Sequence, residues 1–157
     1  MCVCSTNGGL TALRQIPLTA TPGILGVPVA GPTLTTVNVA CSPVTEFYDG
    51  TTDRMFLSVT GSSVVGTNGA GAIIGCTAGG GCIMSFNITN ATGWGVTTGT
   101  SATAAEVGGT SAIIVDNSVS GGGASQVYFT PLGVGNCSSY WHGIGGCAVQ
   151  ASQSGLD

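Results

Sequence analysis

The sequence repeats itself, and that repeat limits the fold more than any other feature. A run led by serine, Ser42-Pro43-Val44-Thr45-Glu46-Phe47-Tyr48-Asp49, is followed by Asp53-Arg54-Met55-Phe56-Leu57-Ser58-Val59 and later by Gly81-Cys82-Ile83-Met84-Ser85-Phe86-Asn87-Ile88-Thr89. The same order returns as Ser111-Ala112-Ile113-Ile114-Val115-Asp116-Asn117, then Ser125-Gln126-Val127-Tyr128-Phe129-Thr130-Pro131-Leu132, then Gly146-Cys147-Ala148-Val149-Gln150-Ala151-Ser152. Matching starts lie about 65 to 69 positions apart, a spacing that marks stacked supersecondary units sharing a core.

Each run is short, bounded by Gly, Asp or Pro, and rich in Val, Ile, Phe and Tyr, which is the signature of strands. The expected fold class is all-β. Two repeated antiparallel β units, blade-like or sandwich-like, occupy about 41–92 and 109–157 of a domain over 41–157. Residues 1–40 precede it as an extended, Pro-rich N-terminal arm. Prolines at 17, 22, 28 and 32 fix φ and remove donors, so the arm is neither a helix nor an unbroken central strand. It is expected to end in a short strand at 34–39. Within the first unit, Ile83, Ser85 and Asn87 alternate with Met84, Phe86 and Ile88, as in a strand buried on one face. The only helical pattern, 101–107, is a weak one that stops at Gly108-Gly109.

Seven cysteines in such a chain point to an oxidising compartment. Each unit carries one Cys in its long loop and one opening its last strand, so the expected pairs are Cys76–Cys82 and Cys137–Cys147. Cys2, Cys4 and Cys41 remain; Cys41 with one N-terminal Cys leaves one thiol over. The sequons at Asn87, Asn90 and Asn136 agree with export and are acceptors for covalent glycans.

Charge excludes whole classes of partner. Two Lys plus Arg and six Asp plus Glu among 157 residues cannot neutralise a phosphate backbone, so no nucleic-acid partner is expected. A mean hydropathy of +0.48 is high, yet Pro and Gly interrupt every charge-free stretch, so no membrane-spanning helix is expected. No cofactor motif occurs. His142 is the single general base near neutrality, but no Gly-x-Ser-x-Gly elbow picks out a partner among fifteen Ser, and no catalytic residue is assigned. Glu46, Asp49 and Asp53 form the one acidic cluster and are weak metal candidates; a turn uses the same residue types.

The segments Thr52–Val59, Gly109–Asn117, Ala124–Phe129 and Gly146–Ser154 resemble the C-terminal, β-propeller-blade-like region of uncharacterised secreted proteins of environmental bacteria. The resemblance spans roughly 41–157 and implies blades of a secreted ring, with no activity attached. Two blades do not close such a ring. Taken together, the sequence points to a non-enzymatic extracellular or cell-surface protein. It is expected to be a homo-oligomer or filament, a self-assembling subunit joined by strand addition from the N-terminal arm. The alternative is a binding module, adhesin or carbohydrate-binding, with Trp94, Tyr140 and Trp141 as stacking residues.

Overall fold

A computed structural model describes residues 1–35, 37–61, 67–68, 71–72, 80–89, 100–117, 125–136 and 144–152. Strands β1 (Cys2–Asn7), β2 (Leu10–Gln15) and β3 (Val29–Thr35) form one antiparallel sheet in that order. A second sheet has the order β4 (Thr45–Tyr48), β5 (Asp53–Val59), β8 (Cys82–Asn87), β9 (Thr100–Ala105), and a third has β10 (Ile114–Asp116), β11 (Gln126–Phe129), β14 (Val149–Ser152). Two short hairpins, β6 (Thr67–Asn68) with β7 (Gly71–Ala72) and β12 (Gly135–Asn136) with β13 (Ile144–Gly145), interrupt the second and third sheets. The chain is all-β, as its short β-branched runs imply.

The three sheets stack. Alternation along β5 and β8 sends Met55, Leu57, Val59, Cys82, Met84 and Phe86 to one face of the second sheet, where they meet Leu13 and Leu34 of the first. Phe56 and Ile83 point the other way and meet Ile113, Val127 and Phe129 of the third layer. β8 is thus buried on both faces, which corrects the one-sided burial expected from its alternation. The reason is that a layer covers each side, and Ser85 on the second face is buried as completely as its apolar neighbours.

Residues 1–35 contribute more strands than sequence reading anticipated. In place of one short strand at 34–39, β1 pairs with β2 along its whole length and β2 pairs with β3. The prolines explain why this was hidden. Pro17, Pro22 and Pro28 lie in the connection between β2 and β3, where no ladder bond is needed. Pro32 lies within β3, but β3 is an edge strand and its register with β2 shifts between Ala12 and Arg14, opposite that proline; bulged edges are where sheets accept proline. The weak helical pattern at 101–107 is also corrected. Residues 100–105 are β9, because Thr100 and Thr103 suit a strand and the edge of β8 offers a full row of backbone partners.

The sequence repeat is a repeat of hydrogen bonds. Ser42 N–H donates to Ser58 C=O (2.9 Å), while Ser58 N–H donates to Ser42 Oγ (2.9 Å). Ser111 and Thr130 make the same exchange, at 2.8 and 3.1 Å. Each pair is flanked by one isolated bridge, Cys41 with Val59 and Thr110 with Pro131. Each is also flanked by one further bond, Thr60 N–H to Ala40 C=O and Leu132 N–H to Gly109 C=O, both 2.9 Å. In both units the first two strands are adjacent in sequence, a hairpin intervenes, and the last strand returns to the second.

Candidate functional site

Two features stand out from the stacked sheets. The first is the connection from β2 to β3. It folds as a small hairpin of its own: Leu18 bridges Leu25, Gly26 N–H donates to Pro17 C=O (2.8 Å), and Thr19 Oγ1 donates to Ile24 C=O (2.8 Å). Gly23 turns the tip at φ +80°, a left-handed conformation that glycine adopts without a Cβ penalty. The hairpin displays Leu18 (73% exposed), Ile24 (55%), Leu25 (52%) and Val27 (83%) to solvent. No charged residue lies between Gln15 and Thr45. A cluster of aliphatic side chains held outward on an ordered hairpin is what interaction surfaces look like.

The second feature is a cavity of about 730 Å³ between β1 and the connection that leads to β4. Cys2, Cys4 and Cys41 all line it. Cys4 is disulfide-bonded to Cys41, with Cα atoms 6.3 Å apart, and Cys2 is a free thiol. Cys2 and Cys4 are two apart on one strand, so their side chains leave the same face about 6.6 Å apart along it. Buried Thr11 holds the far wall: its Oγ1 accepts from Val39 N–H (2.9 Å), which places the segment running into Cys41. Burial pushes the Cys2 thiol above its ordinary value. The Met1 ammonium acts against this shift, and the carboxylates of Glu46 and Asp53 add to it.

The other residues singled out in the sequence are distributed as follows. Cys82 and Cys147 are in disulfides; their expected partners, Cys76 and Cys137, lie outside the described residues. So do His142, Asn90, Trp94, Tyr140 and Trp141. Asn136 belongs to β12. Asn87 closes β8, and its Oδ1 accepts from both the N–H (3.1 Å) and the hydroxyl (2.8 Å) of Thr89, the third residue of its sequon.

The acidic cluster does not converge. Asp49 Oδ1 accepts from Thr51 N–H (2.8 Å), Thr51 Oγ1 (2.8 Å) and Thr52 N–H (2.7 Å), which closes the turn between β4 and β5. Those bonds, the Thr52 amide first, hold its carboxyl below the usual range. Among the described residues no three His, Cys, Asp or Glu side chains are grouped to hold a metal; Glu46 lies in β4, Asp49 in the turn and Asp53 at the start of β5. Nor, among the described residues, is any helix long and apolar enough to cross a membrane.

What the sequence did not single out is the hairpin itself. Its signal was present as Pro17, Pro22-Gly23 and Gly26 around aliphatic residues, a turn flanked by short apolar runs. Comparison with protein-family models, with curated proteins and with solved structures found no match to this chain.

Proposed function

We propose that this chain is a non-enzymatic structural subunit of an extracellular filament or matrix, and that copies join when the 17–27 hairpin of one seats on an open sheet edge of the next. The hairpin carries this reading: four large aliphatic side chains, each more than half exposed, stand on an ordered turn. Residues 10–15 and 29–35 are already paired within the chain's own sheet, so the segment left for a neighbour is the hairpin rather than the whole N-terminal region. The second copy is the fitting occupant because all six carboxylates lie at residue 46 or beyond. An uncharged hairpin therefore meets no like charge. Lysine, which commonly guards edge strands against such pairing, is absent from the chain. A hairpin seated on an edge is a head-to-tail contact, which need not close and so propagates. An oxidising setting fits the disulfides.

Electron microscopy and sedimentation velocity on the purified chain test this. Filaments, or a concentration-dependent ladder of oligomers, are expected, and a Leu18→Ser, Val27→Ser double variant should stay folded by circular dichroism and sediment as a monomer. A wild-type chain that remains monodisperse at high concentration overturns the assembly and favours the binding-module alternative.

A further inference from the structure

We infer that Cys2, Cys4 and Cys41 form a thiol–disulfide exchange centre, in which the Cys2 thiol replaces Cys4 as the partner of Cys41. Three observations place the reacting groups together. All three cysteines line one cavity. Cys2 and Cys4 occupy the same face of β1, both packed against the apolar cluster that also receives Cys41. Cys2 is free while its two neighbours are bonded. An attacking thiol thus stands beside a disulfide, with open volume in which the sulfurs can realign.

The step balances without an outside oxidant. Cys2 gives up its proton to solvent and its thiolate attacks Cys41 Sγ. The Cys2–Cys41 bond forms as the Cys4–Cys41 bond breaks, and Cys4 leaves as a thiolate that takes up a proton. One disulfide and one thiol enter and leave. The tether between β1 and residue 41 moves two residues along the strand, about 6.6 Å. The groups that set the thiolate fraction of Cys2 are the Met1 ammonium, which favours it, and Glu46 and Asp53, which oppose it together with burial. Exchange is accordingly slow at neutral pH and faster in base. This centre is independent of the hairpin contact, and its test does not read assembly.

The chain itself supplies a convenient assay. Its two arginines, Arg14 and Arg54, let trypsin release residues 1–14, holding Cys2 and Cys4, and residues 15–54, holding Cys41 alone. The folded wild type is incubated at mildly basic pH with no added thiol, alkylated without reduction and digested. Fragment ions then locate the alkyl group. Label on both Cys2 and Cys4 of the linked peptides is expected, with the Cys4 label lost in a Cys2→Ser variant. Label confined to Cys2 in the wild type after prolonged incubation overturns the proposal. Persistence of the Cys4 label in Cys2→Ser overturns it equally, since Cys4 would then open by another route.

Discussion

Ser58 and Thr110, 52 residues apart, are bonded to each other in a place no water reaches. Ser58 Oγ accepts the Thr110 N–H at 2.8 Å, and the two hydroxyl oxygens lie 2.9 Å apart. Both residues are buried, at 0% and 1% exposure. The pair sits where the second layer hands the chain to the third, beside the exchange between Ser42 and Ser58. The Ser58 hydroxyl has a task in this interior. It satisfies backbone groups that would otherwise be buried without partners.

Ser58→Ala leaves the Thr110 amide buried with its acceptor gone. Removing one partner of a buried bond costs the desolvation of the other, about 1–3 kcal/mol. Urea unfolding should show a midpoint lowered to match, with an unchanged slope. A variant as stable as the wild type means that Thr110 finds another acceptor.

The two apolar clusters lie on opposite faces of the second sheet, so damage to them should add. Leu13→Ala removes a fully buried side chain of the first layer and should cost about 2–5 kcal/mol. Phe129→Ala does the same on the other side, for about 3–5 kcal/mol. If the sheet between them insulates the clusters, the double variant loses the sum to within about 0.5 kcal/mol. A large non-additive term in the denaturant data would show one shared core instead.

Much of this was legible in the sequence. The Ser-led and Gly-Cys-led runs became β4, β5 and β8 in one unit and β10, β11 and β14 in the other, because alternation and turn residues are local signals. What escaped depends on distant partners. Pro32 reads as a strand breaker until the register shift between Ala12 and Arg14 and the edge position of β3 are known. The burial of Ile83 and Ser85 depends on a third layer that a one-strand pattern does not reveal. The sulfur cavity was half visible, since an odd thiol among Cys2, Cys4 and Cys41 follows from counting. That Cys4 is the one bonded to Cys41 and Cys2 the free one is a matter of three-dimensional placement, which counting does not reveal.

Gly81 should not tolerate a side chain. Its φ of +131° is outside the range that L residues favour, and a Cβ there would collide with the Gly109 nitrogen and the Glu106 carbonyl oxygen. The same carbonyl accepts the Gly109 N–H at 3.0 Å, and Gly81 C=O accepts the Glu106 N–H at 3.1 Å. Gly81→Ala therefore has to break this backbone knot rather than pack against it. It should destabilise the fold by more than the ~1 kcal/mol that a Gly-to-Ala exchange usually moves, and thermal unfolding of Gly81→Ala against Gly146→Ala, where a Cβ meets nothing, provides the control.

Acid should stabilise this protein relative to neutral pH through two carboxyls. Burial holds both Glu106 and Asp53 above their ordinary values, and Asp53 Oδ1 is buried with no hydrogen-bond partner among the described residues. The folded state keeps these protons when the unfolded chain has lost them. Stability contributed by the two groups is present at low pH and falls as pH rises from the unfolded value, about 4, through the folded one. Asp49 works in the opposite sense, being held low by the Thr52 and Thr51 amides, but it is fully exposed and its share is screened. Glu106→Gln should therefore gain stability at pH 7 and little at pH 4, as read from urea midpoints at both. A gain of equal size at the two pH values would place the effect in packing rather than charge.

The exchange centre makes its two cysteine deletions unequal. The Cys4–Cys41 link spans a sequence separation of 37, and in the chain-entropy model closing a loop of that length contributes about 4 kcal/mol. Cys41→Ser abolishes the link outright, because Cys41 is the sulfur common to both arrangements. Cys4→Ser leaves Cys2 on the same face of β1 to take its place, with a loop only two residues longer, so the entropic contribution is almost unchanged. Cys4→Ser should thus keep most of the disulfide's stability and show residues 1–14 still joined to 15–54 after non-reducing digestion. Cys41→Ser should lose the full amount, and with reductant added to both, which also opens the disulfides of Cys82 and Cys147 in each, the two variants should fall to the same level. Equal losses in the two oxidised variants, with the peptides separate in both, would mean that Cys2 does not reach Cys41 and that the cavity holds a fixed tether beside a bystander thiol.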